Sequence, residues 1–236
     1  MSHYLIFGGA SGIGAEVASK LVDENHQLTI FDIKKPDAKH AGNDYFFVDL
    51  SKPEEVEKTL KELPDDLALD GIIYSAGIRE ICSLSDLTYK EWKKVFSVNV
   101  DSFFIAVQSL QGRLKSGASV VNISSVSGVL GEPDRSAYVS SKHALIGLTK
   151  CLAVELAHKK IRVNSVAPGV IRTSLTEQYY SDDALMRKIN NNHILKRTGT
   201  VAEVAEAVLF LLSSKSSFTT GSTLFVDGGW SAFKDI

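Results

Sequence analysis

The chain has 236 residues, of which 44% are hydrophobic and 23% are charged, and its net charge is −2. This composition is typical of a soluble globular protein with one sizeable core, and the balanced charge excludes a nucleic-acid footprint or a polybasic membrane patch. The sequence has no apolar run of roughly 18 residues to cross a bilayer, and its first residues lack the pattern of a signal peptide.

Short apolar runs alternate with amphipathic stretches along the whole chain. The apolar runs predict strands at 3–7, 27–32, 44–49, 70–75, 118–123, 161–167 and 223–226. The stretches between them predict helices at 12–25, 53–62, 88–115, 136–159 and 201–213, with a weaker helical signal from 174 to 192. Continuous apolar strands that alternate with helices indicate a doubly wound, parallel α/β sheet of seven strands with helices on both faces. We predict one domain spanning residues 1–236.

The first predicted strand runs into a glycine-rich turn that precedes a helix. The turn reads Gly8-Gly9-Ala10-Ser11-Gly12-Ile13-Gly14. Glycines in this context allow a sharp turn and bring the backbone close to a pyrophosphate at the positive N-terminus of the helix. Because the spacing differs from the better-known Gly-x-Gly-x-x-Gly pattern, a plain tight turn is the alternative. We expect Gly8, Ser11, Gly12, Ile13 and Gly14 to contact a dinucleotide.

Asp32 ends the second predicted strand, about 20 residues after the glycine turn. A carboxylate at this place would accept hydrogen bonds from the adenosine ribose and would repel a 2′-phosphate. No arginine follows the glycine turn, although Lys34 and Lys35 weaken the discrimination. We therefore expect NAD in preference to NADP. The alternative for Asp32 is a capping role in a turn or helix.

The pattern Tyr-x-x-x-Lys occurs twice, at Tyr138/Lys142 and at Tyr89/Lys93. Residues four apart lie on one face of a helix, about one turn from each other. The second copy lies in a charged stretch typical of an exposed first turn. The first copy lies in an apolar helix, and Ser125 follows a predicted strand thirteen residues upstream. We therefore interpret only Tyr138/Lys142 as catalytic.

The helix predicted at 136–159 has apolar residues around its whole circumference, so it must be covered on all sides. The sheet covers one side only, and we expect another subunit to cover the other. The apolar residues are Ala144, Leu145, Ile146, Leu148, Cys151, Leu152, Ala153, Val154, Leu156 and Ala157. The cysteines Cys82 and Cys151 are isolated in sequence, so we expect reduced thiols in a cytoplasmic protein and no metal site.

These motifs together resemble the short-chain dehydrogenase/reductase family over nearly the full chain, which implies a Rossmann-type fold. The matches, in order, are the turn at 8–14, Asp49-Leu50, Ala76-Gly77, Asn99, Ser125, Tyr138/Lys142, Pro168-Gly169, Thr173, Thr220-Gly221 and Val226-Asp227-Gly228-Gly229. Several of these matches have a simpler explanation when each is taken alone. A serine can cap a helix, an asparagine can bond the helix backbone, and Pro-Gly can form an ordinary turn.

The resemblance implies a role for each matching residue. Asn99, Ser125, Tyr138 and Lys142 would form the catalytic set, and Asn99, Tyr138 and Lys142 would also border the cofactor. Asp49 and Leu50 would contact adenine, while Ile171 and Thr173 would hold the nicotinamide carboxamide. Ala76, Gly77, Pro168 and Gly169 would line the cofactor cleft. The resemblance also implies a homotetramer whose long helices pair across an interface.

The predicted chemistry needs a phenol with a lowered pKa. A free tyrosine has a pKa near 10, and lowering it by about 3 units takes roughly 4 kcal/mol. We expect the ammonium of Lys142, about 4 Å away, to supply about that much and an oxidised nicotinamide ring to add more. Ser125 would hold the substrate oxygen, and Asn99 would position a water that leads protons to solvent.

Two positions depart from the family pattern. Phe7 stands where a threonine usually precedes the glycine turn, and Ser75 replaces an asparagine before Ala-Gly. We expect Phe7 to be buried near the backbone of 74–77, with the shorter Ser75 making room for its ring.

The leading functional hypothesis is interconversion of a small secondary alcohol and a ketone, such as a sugar, polyol, cyclic or hydroxy-acid substrate. The alternatives are a 3-oxoacyl-thioester reductase and a nucleotide-sensing regulator without turnover. We expect residues 174–198 to form a lid over the substrate, with Tyr179, Tyr180 and His193 as contacts. Arg79, Glu80 and Glu132 would border the pocket.

Overall fold

The computed structural model describes residues 1–36 and 43–232. Its strands are β1 (His3–Phe7), β2 (Gln27–Asp32), β3 (Asp44–Phe47), β4 (Leu69–Tyr74), β5 (Leu114–Ile123), β6 (Arg162–Pro168) and β7 (Thr223–Val226). They form one sheet in the order β3-β2-β1-β4-β5-β6-β7, and every neighbouring pair is parallel. The predicted fold class is confirmed. Strand order reverses between β1 and β4, which opens a crevice at the carboxyl ends of these strands.

Helices cover both faces of the sheet. They are α1 (Gly12–Asp23), α2 (Pro53–Lys61), α3 (Tyr89–Phe96), α4 (Ser102–Leu110), α5 (Ser136–Leu156), α6 (Asp183–Asn192) and α7 (Val201–Leu212). One apolar core joins the sheet to α2, α4 and α5, and the other joins it to α1 and α7. Among the helices in the described residues, none is long and apolar enough to cross a membrane.

The single helix predicted at 88–115 is wrong. The structure has α3, then a π-helical turn at Ser97–Asp101, then α4, which ends at Leu110. The Thr88 side chain and Glu91 form a capping box that starts α3 one residue later than predicted. β5 already begins at Leu114 because Leu114 pairs with Leu69 of β4, so sheet pairing overrides the helical pattern there.

The chain itself covers only one side of the long helix, so the cover expected from another subunit on the other side stays a prediction. The face of α5 that includes Leu145, Leu152 and Leu156 is buried against the sheet. On the opposite face Gly147 and Cys151 are exposed, and the Val154 side chain is 79% exposed. The regular helix also stops at Leu156, where a short 3-10 turn follows.

Candidate active site

A cavity of about 1540 Å³ lies at the carboxyl ends of the strands. The crevice of the sheet forms its floor, and residues from the segment 174–192 border its far end. The residues predicted to bind cofactor or substrate that line it are Gly8, Ser11, Gly12, Ile13, Asp32, Asp49, Leu50, Ala76, Gly77, Ser125, Tyr138, Lys142, Pro168, Gly169, Ile171 and Thr173. Gly14 and Asn99 are buried and do not belong to the lining.

The glycine turn brings three backbone segments into close contact. Gly8 has φ of +79°, and a Cβ on it would lie 2.6 Å from the backbone nitrogen of Ala76. A Cβ on Gly14 would lie 2.0 Å from the carbonyl oxygen of Gly8. Gly14 therefore lets α1 pack on the turn, which is the packing task of the last glycine in dinucleotide-binding turns. Any larger side chain at either position would push α1 or the turn into the cavity floor.

The Asp32 carboxylate connects the two turns at the nucleotide end of the cavity. One oxygen accepts a hydrogen bond from the Ala10 backbone nitrogen at 2.9 Å, and the other accepts one from the Lys34 backbone nitrogen at 2.9 Å. Asp32 therefore does part of the capping work considered as its alternative role. Each carboxylate oxygen has a second lone pair, so the group still has acceptors for ribose hydroxyls.

Hydrogen bonds from neighbouring residues hold Asp49 and Leu50 in place. Asp49 accepts hydrogen bonds from the backbone nitrogen and the hydroxyl of Ser51, at 2.9 and 2.8 Å. Partial burial acts to raise the pKa of Asp49, but these bonds and the charge of Lys52 bring it below its usual value. The Leu50 carbonyl accepts a bond of 2.7 Å from Ser102. Both residues line the cavity, and their contact with an adenine stays a prediction.

Tyr138 and Lys142 face the cavity from the first turns of α5, but their electrostatics differ from our expectation. The Lys142 ammonium donates to the Ile123 carbonyl at 2.8 Å and lies 5.6 Å from the centre of the Tyr138 ring. Burial lowers the pKa of Lys142 to about 8. Burial raises the pKa of Tyr138, and the Ser125 hydroxyl and the Arg79 charge act against that rise. The polypeptide alone therefore does not lower the phenol pKa, because desolvation outweighs its positive charges.

Ser125 and Asn99 are both tightly held. The Ser125 hydroxyl accepts from the Ser127 backbone nitrogen and donates to the Ser127 hydroxyl, each at 3.1 Å. Asn99, in the π-helical turn, bonds both backbone groups of Ile78 at 2.9 Å and the Ser141 hydroxyl at 2.9 Å. These bonds tie the loop after β4 to α5, so the Asn99 side chain has no free donor for a water. π-helical turns are frequent at functional sites.

The second Tyr-x-x-x-Lys copy lies on the surface, as predicted. Tyr89 is 73% exposed, and the Lys93 ammonium lies 5.2 Å from its ring centre. Neither residue lines the cavity.

The sequence indicated Glu80 and Glu132 only as pocket borders, and their actual contacts were missed. The Glu80 carboxylate accepts from the backbone nitrogens of Ala137, at 2.7 Å, and Tyr138. Glu132 accepts from Ser127 and forms an ion pair with Arg135. Glu132 and Arg135 are three residues apart just before α5, and this spacing is the one signal that would have drawn attention to the pair.

Part of the segment 174–198 borders the cavity beside Arg79 and Arg135, and we call this region the substrate end. Tyr179 lines the cavity and accepts a hydrogen bond from Arg135. The expected contacts of Tyr180 and His193 with this cavity are wrong. Tyr180 donates to Thr198 at 3.1 Å under the Arg172 guanidinium, and the His193 ring bonds the backbone of Ile189 and Val170.

Phe7 is fully buried beside the loop after β4, as expected. Its carbonyl accepts from the backbone nitrogens of Ser75 and Ala76 at 2.8 and 3.1 Å. Its ring stacks on Phe31 at 4.9 Å and packs against Tyr74 at 5.4 Å between ring centres. The rings of the neighbouring strands therefore pack against Phe7, and the contribution of Ser75 to its space stays a prediction.

Comparison with known proteins gives consistent matches over the whole chain. A family described as enoyl-(acyl carrier protein) reductase matches residues 8–231. Cyclopentanol dehydrogenase from Comamonas sp. (strain NCIMB 9872) is 33% identical over 97% of this chain and 96% of its own length. The 3-oxoacyl-[acyl-carrier-protein] reductase of Chlamydia muridarum is 34% identical over 95% of each chain.

Solved structures agree with the fold. A short chain dehydrogenase family protein from Francisella tularensis superposes with a TM-score of 0.93, at 33% identity over 99% of this chain and 100% of its own. A 4-hydroxyisoleucine dehydrogenase complexed with NADH gives 0.90, at 37% identity and the same coverage. A putative 2-deoxy-d-gluconate 3-dehydrogenase from Agrobacterium tumefaciens with bound NADP gives 0.89, at 29% identity over 98% of this chain and 97% of its own.

The parallel seven-stranded sheet, the glycine turn beneath the cavity, the tyrosine and lysine one helical turn apart, and these full-length matches agree. The chain belongs to the short-chain dehydrogenase/reductase family of oxidoreductases.

Proposed function

We propose that the protein is an NAD-dependent oxidoreductase that interconverts a small secondary alcohol and the corresponding ketone. The observation that carries the proposal is the meeting of Ser125, Tyr138 and Lys142 in the lining of a cavity that the glycine turn also lines. A phenol and a hydroxyl at one point suit the delivery of a proton to a carbonyl oxygen. The residues around the glycine turn fit a dinucleotide, because Gly8, Ser11, Gly12 and Ile13 line the cavity where α1 begins, and the N-terminus of a helix favours a phosphate group.

In the proposed reaction the nicotinamide supplies or accepts the hydride. Ser125 donates a hydrogen bond to the substrate oxygen, and Tyr138 gives its proton to that oxygen when a ketone is reduced. In the oxidation direction the Tyr138 phenolate removes the proton from the alcohol. Lys142 would hold the nicotinamide ribose, and its charge, together with that of an oxidised ring, would stabilise the phenolate. This cofactor charge is the contribution that the protein alone lacks.

We propose NAD over NADP because Asp32 lines the nucleotide end of the cavity and repels a 2′-phosphate. The relative solved with NADH supports this choice, whereas the one solved with NADP is less similar to this chain. We further propose that the enzyme works as a homotetramer in the cytoplasm. The exposed apolar residues of α5 support the assembly, and the two free thiols suit a reducing compartment.

A 3-oxoacyl-thioester reductase is the second candidate, because a protein with that name is among the relatives. A sensor without turnover is the third candidate, and it would be supported by binding of NADH without reduction of any carbonyl compound. A panel of ketones, sugars, oxo acids and acyl thioesters, followed by NADH and NADPH absorbance, separates the three. Turnover of a ketone or oxo acid with NADH supports the proposal, and turnover of thioesters alone with NADPH contradicts it.

A further inference from the structure

Arg79 follows the turn after β4 and lines the substrate end of the cavity. Its guanidinium donates to the Leu175 carbonyl and lies 4.6 Å from the centre of the Tyr179 ring. Its charge acts on the Tyr138 phenol, so it lies within electrostatic range of the proton-transfer residue. The family comparisons assign it no role.

The positive charge of Arg79 has no carboxylate partner in residues 1–36 and 43–232. A guanidinium has five N–H donors, and the Leu175 carbonyl takes one of them. Partial burial lowers the pKa of Arg79, which means that the charged form loses hydration without an ionic partner in return. An arginine in this condition is suited to bind an anion.

The other charges at this end of the cavity do not neutralise Arg79. Glu132 is paired with Arg135, and the exposed residues Lys188 and Asp182 have opposite signs. Glu80 is next to Arg79 in sequence, but it lies outside the lining, and its carboxylate accepts bonds from the first turn of α5. Arg79 therefore contributes a positive charge that no carboxylate in the described residues pairs with.

We propose that the substrate carries a carboxylate group that the Arg79 guanidinium binds, so that the enzyme acts on a hydroxy acid and its oxo acid. This inference rests on the proposed function and narrows its substrate class. A planar guanidinium binds a carboxylate through two parallel hydrogen bonds, which fix the substrate's orientation as well as its position. With the carboxylate on Arg79, the reacting oxygen is directed to Tyr138 and Ser125. Neutral sugars and ketones lack the charge that this site selects.

Binding without turnover provides the first test. Calorimetry of the full chain with NADH compares butanoate with butanamide, which has the same shape and no charge. We expect butanoate to bind at least about tenfold tighter, as for other hydrogen bonds between charged groups. Equal binding of the two compounds would overturn the proposal.

Three variants localise the effect. Arg79→Met should abolish the preference for butanoate, and Arg79→Lys should keep part of it because the charge remains. Arg172→Met is the matched control, because Arg172 also lies 4.6 Å from a tyrosine ring centre but does not line the cavity. The control should keep the full preference. Melting temperatures identify a variant that fails to fold. If Arg79→Met does not fold, a reduced preference for butanoate in Arg79→Lys supports the role of Arg79, and an unchanged preference contradicts it. A preference that survives in folded Arg79→Met would contradict the role of Arg79.

Turnover provides the second test. Oxo acids with the carbonyl two, three or four carbons along the chain are compared with their methyl esters by NADH absorbance. We expect kcat/KM for the best acid to exceed that of its ester at least about tenfold, with Arg79→Met lowering the acid value far more than the ester value. Preference for the esters overturns the inference. Carboxylate binding without turnover of any carbonyl compound would instead contradict the proposed function and leave the binding site in place.

Discussion

The carboxylate of Glu80 holds the backbone of Tyr138, accepting hydrogen bonds of 3.1 and 3.2 Å from its N–H group. The N–H of Ala137 donates to the same carboxylate at 2.7 Å. Residues at the start of a helix have free N–H groups, and a carboxylate there satisfies them and interacts with the helix dipole. Glu80 thus anchors the turn of α5 that presents the phenol.

Replacing Glu80 with alanine should therefore affect both stability and catalysis. We expect a loss of about 1–2 kcal/mol in the free energy of unfolding, as for other lost helix caps. We also expect a clear decrease in kcat and a shifted kcat–pH profile, because Tyr138 loses its fixed position. Urea denaturation and steady-state kinetics measure the two effects. Glu80→Gln keeps one acceptor oxygen and should recover part of each.

A matched control separates positioning from stability. Glu91 also caps a helix, accepting a hydrogen bond from the Thr88 N–H at the start of α3, but α3 presents none of Ser125, Tyr138 and Lys142. Glu91→Ala should cost a similar free energy of unfolding and leave the kcat–pH profile unchanged. If both variants altered the profile alike, the catalytic effect of Glu80 would be a consequence of stability alone.

Replacing Tyr138 with phenylalanine should remove the proton donor with little structural change. We expect kcat to decrease by about 10²–10⁴ while the fold and NADH affinity stay near normal. Tyr89→Phe is the control, since Tyr89 belongs to the same sequence pattern but is exposed. Equal effects of the two substitutions on kcat would contradict the catalytic assignment.

Replacing Lys142 with methionine should stabilise the protein while it abolishes turnover. Burial lowers the folded-state pKa of Lys142 to about 8 from an ordinary value of 10.5. Keeping the ammonium charged therefore costs the folded state on the order of 3 kcal/mol at neutral pH. The lost bond to the Ile123 carbonyl offsets part of this gain. We expect the variant to be about 1–2 kcal/mol more stable in urea denaturation at pH 7.

The pH dependence of this gain has a defined sign. Below pH 8 the ammonium is charged in the folded and the unfolded protein, so the folded state bears the whole cost. Between pH 8 and the ordinary lysine value the unfolded chain binds the extra proton, and the stability of the native protein rises with pH. The advantage of Lys142→Met should therefore shrink over this range. An advantage that grew with pH would contradict the burial of a charged Lys142.

Asp32 should determine the choice of cofactor. We expect the native protein to prefer NADH over NADPH by at least about tenfold in kcat/KM. Asp32→Asn keeps an acceptor for the Ala10 N–H and removes the charge, so it should weaken the discrimination against NADPH more than it harms NADH use. Asp49→Asn removes a charge from the same end of the cavity and should leave the ratio close to native. Equal use of the two cofactors by the native enzyme would refute the assignment.

The parallel sheet could be predicted from the sequence because the patterns that indicate it are local. Continuous apolar strands between helices fix the class, and a glycine turn followed by Asp32 indicates the nucleotide end. The π-helical turn at Asn99 was missed because a single such turn inside a longer helical stretch has no sequence pattern of its own. Contacts between distant segments were also missed, such as that of Glu80 with Ala137, which is 57 residues away.

Electrostatics and packing in the site were even less accessible from the sequence. The spacing of Tyr138 and Lys142 brings two groups together, but it contains no information on how much water each loses. Burial therefore raises the pKa of Tyr138, whereas the sequence led us to expect a lowered pKa. The environment of Phe7 likewise depends on sheet register, which pairs it with Phe31 on one side and Tyr74 on the other. Neither partner is close to Phe7 in sequence.

The exposed face of α5 should mediate self-association. Gly147, Cys151 and Val154 follow the i, i+4, i+7 spacing of one helical stripe, and all three are exposed. A Cβ on Gly147 would contact nothing within 4 Å, so a second helix can approach closely there. Val154 is 79% exposed, and burying a valine contributes about 1.5–3 kcal/mol in each copy. In a symmetric pair this contribution counts twice.

Val154→Glu should therefore disrupt the assembly. We expect light scattering at micromolar concentration to give a tetramer for the native protein and a smaller species for the variant, because a carboxylate buried against its symmetry copy is unpaired. Leu84→Glu is the matched control, since Leu84 is also 79% exposed but lies outside α5. The control should keep the native mass. A native monomer would leave the stripe on α5 without a partner and contradict the assembly, whereas an unaffected tetramer in Val154→Glu would assign the interface to another face.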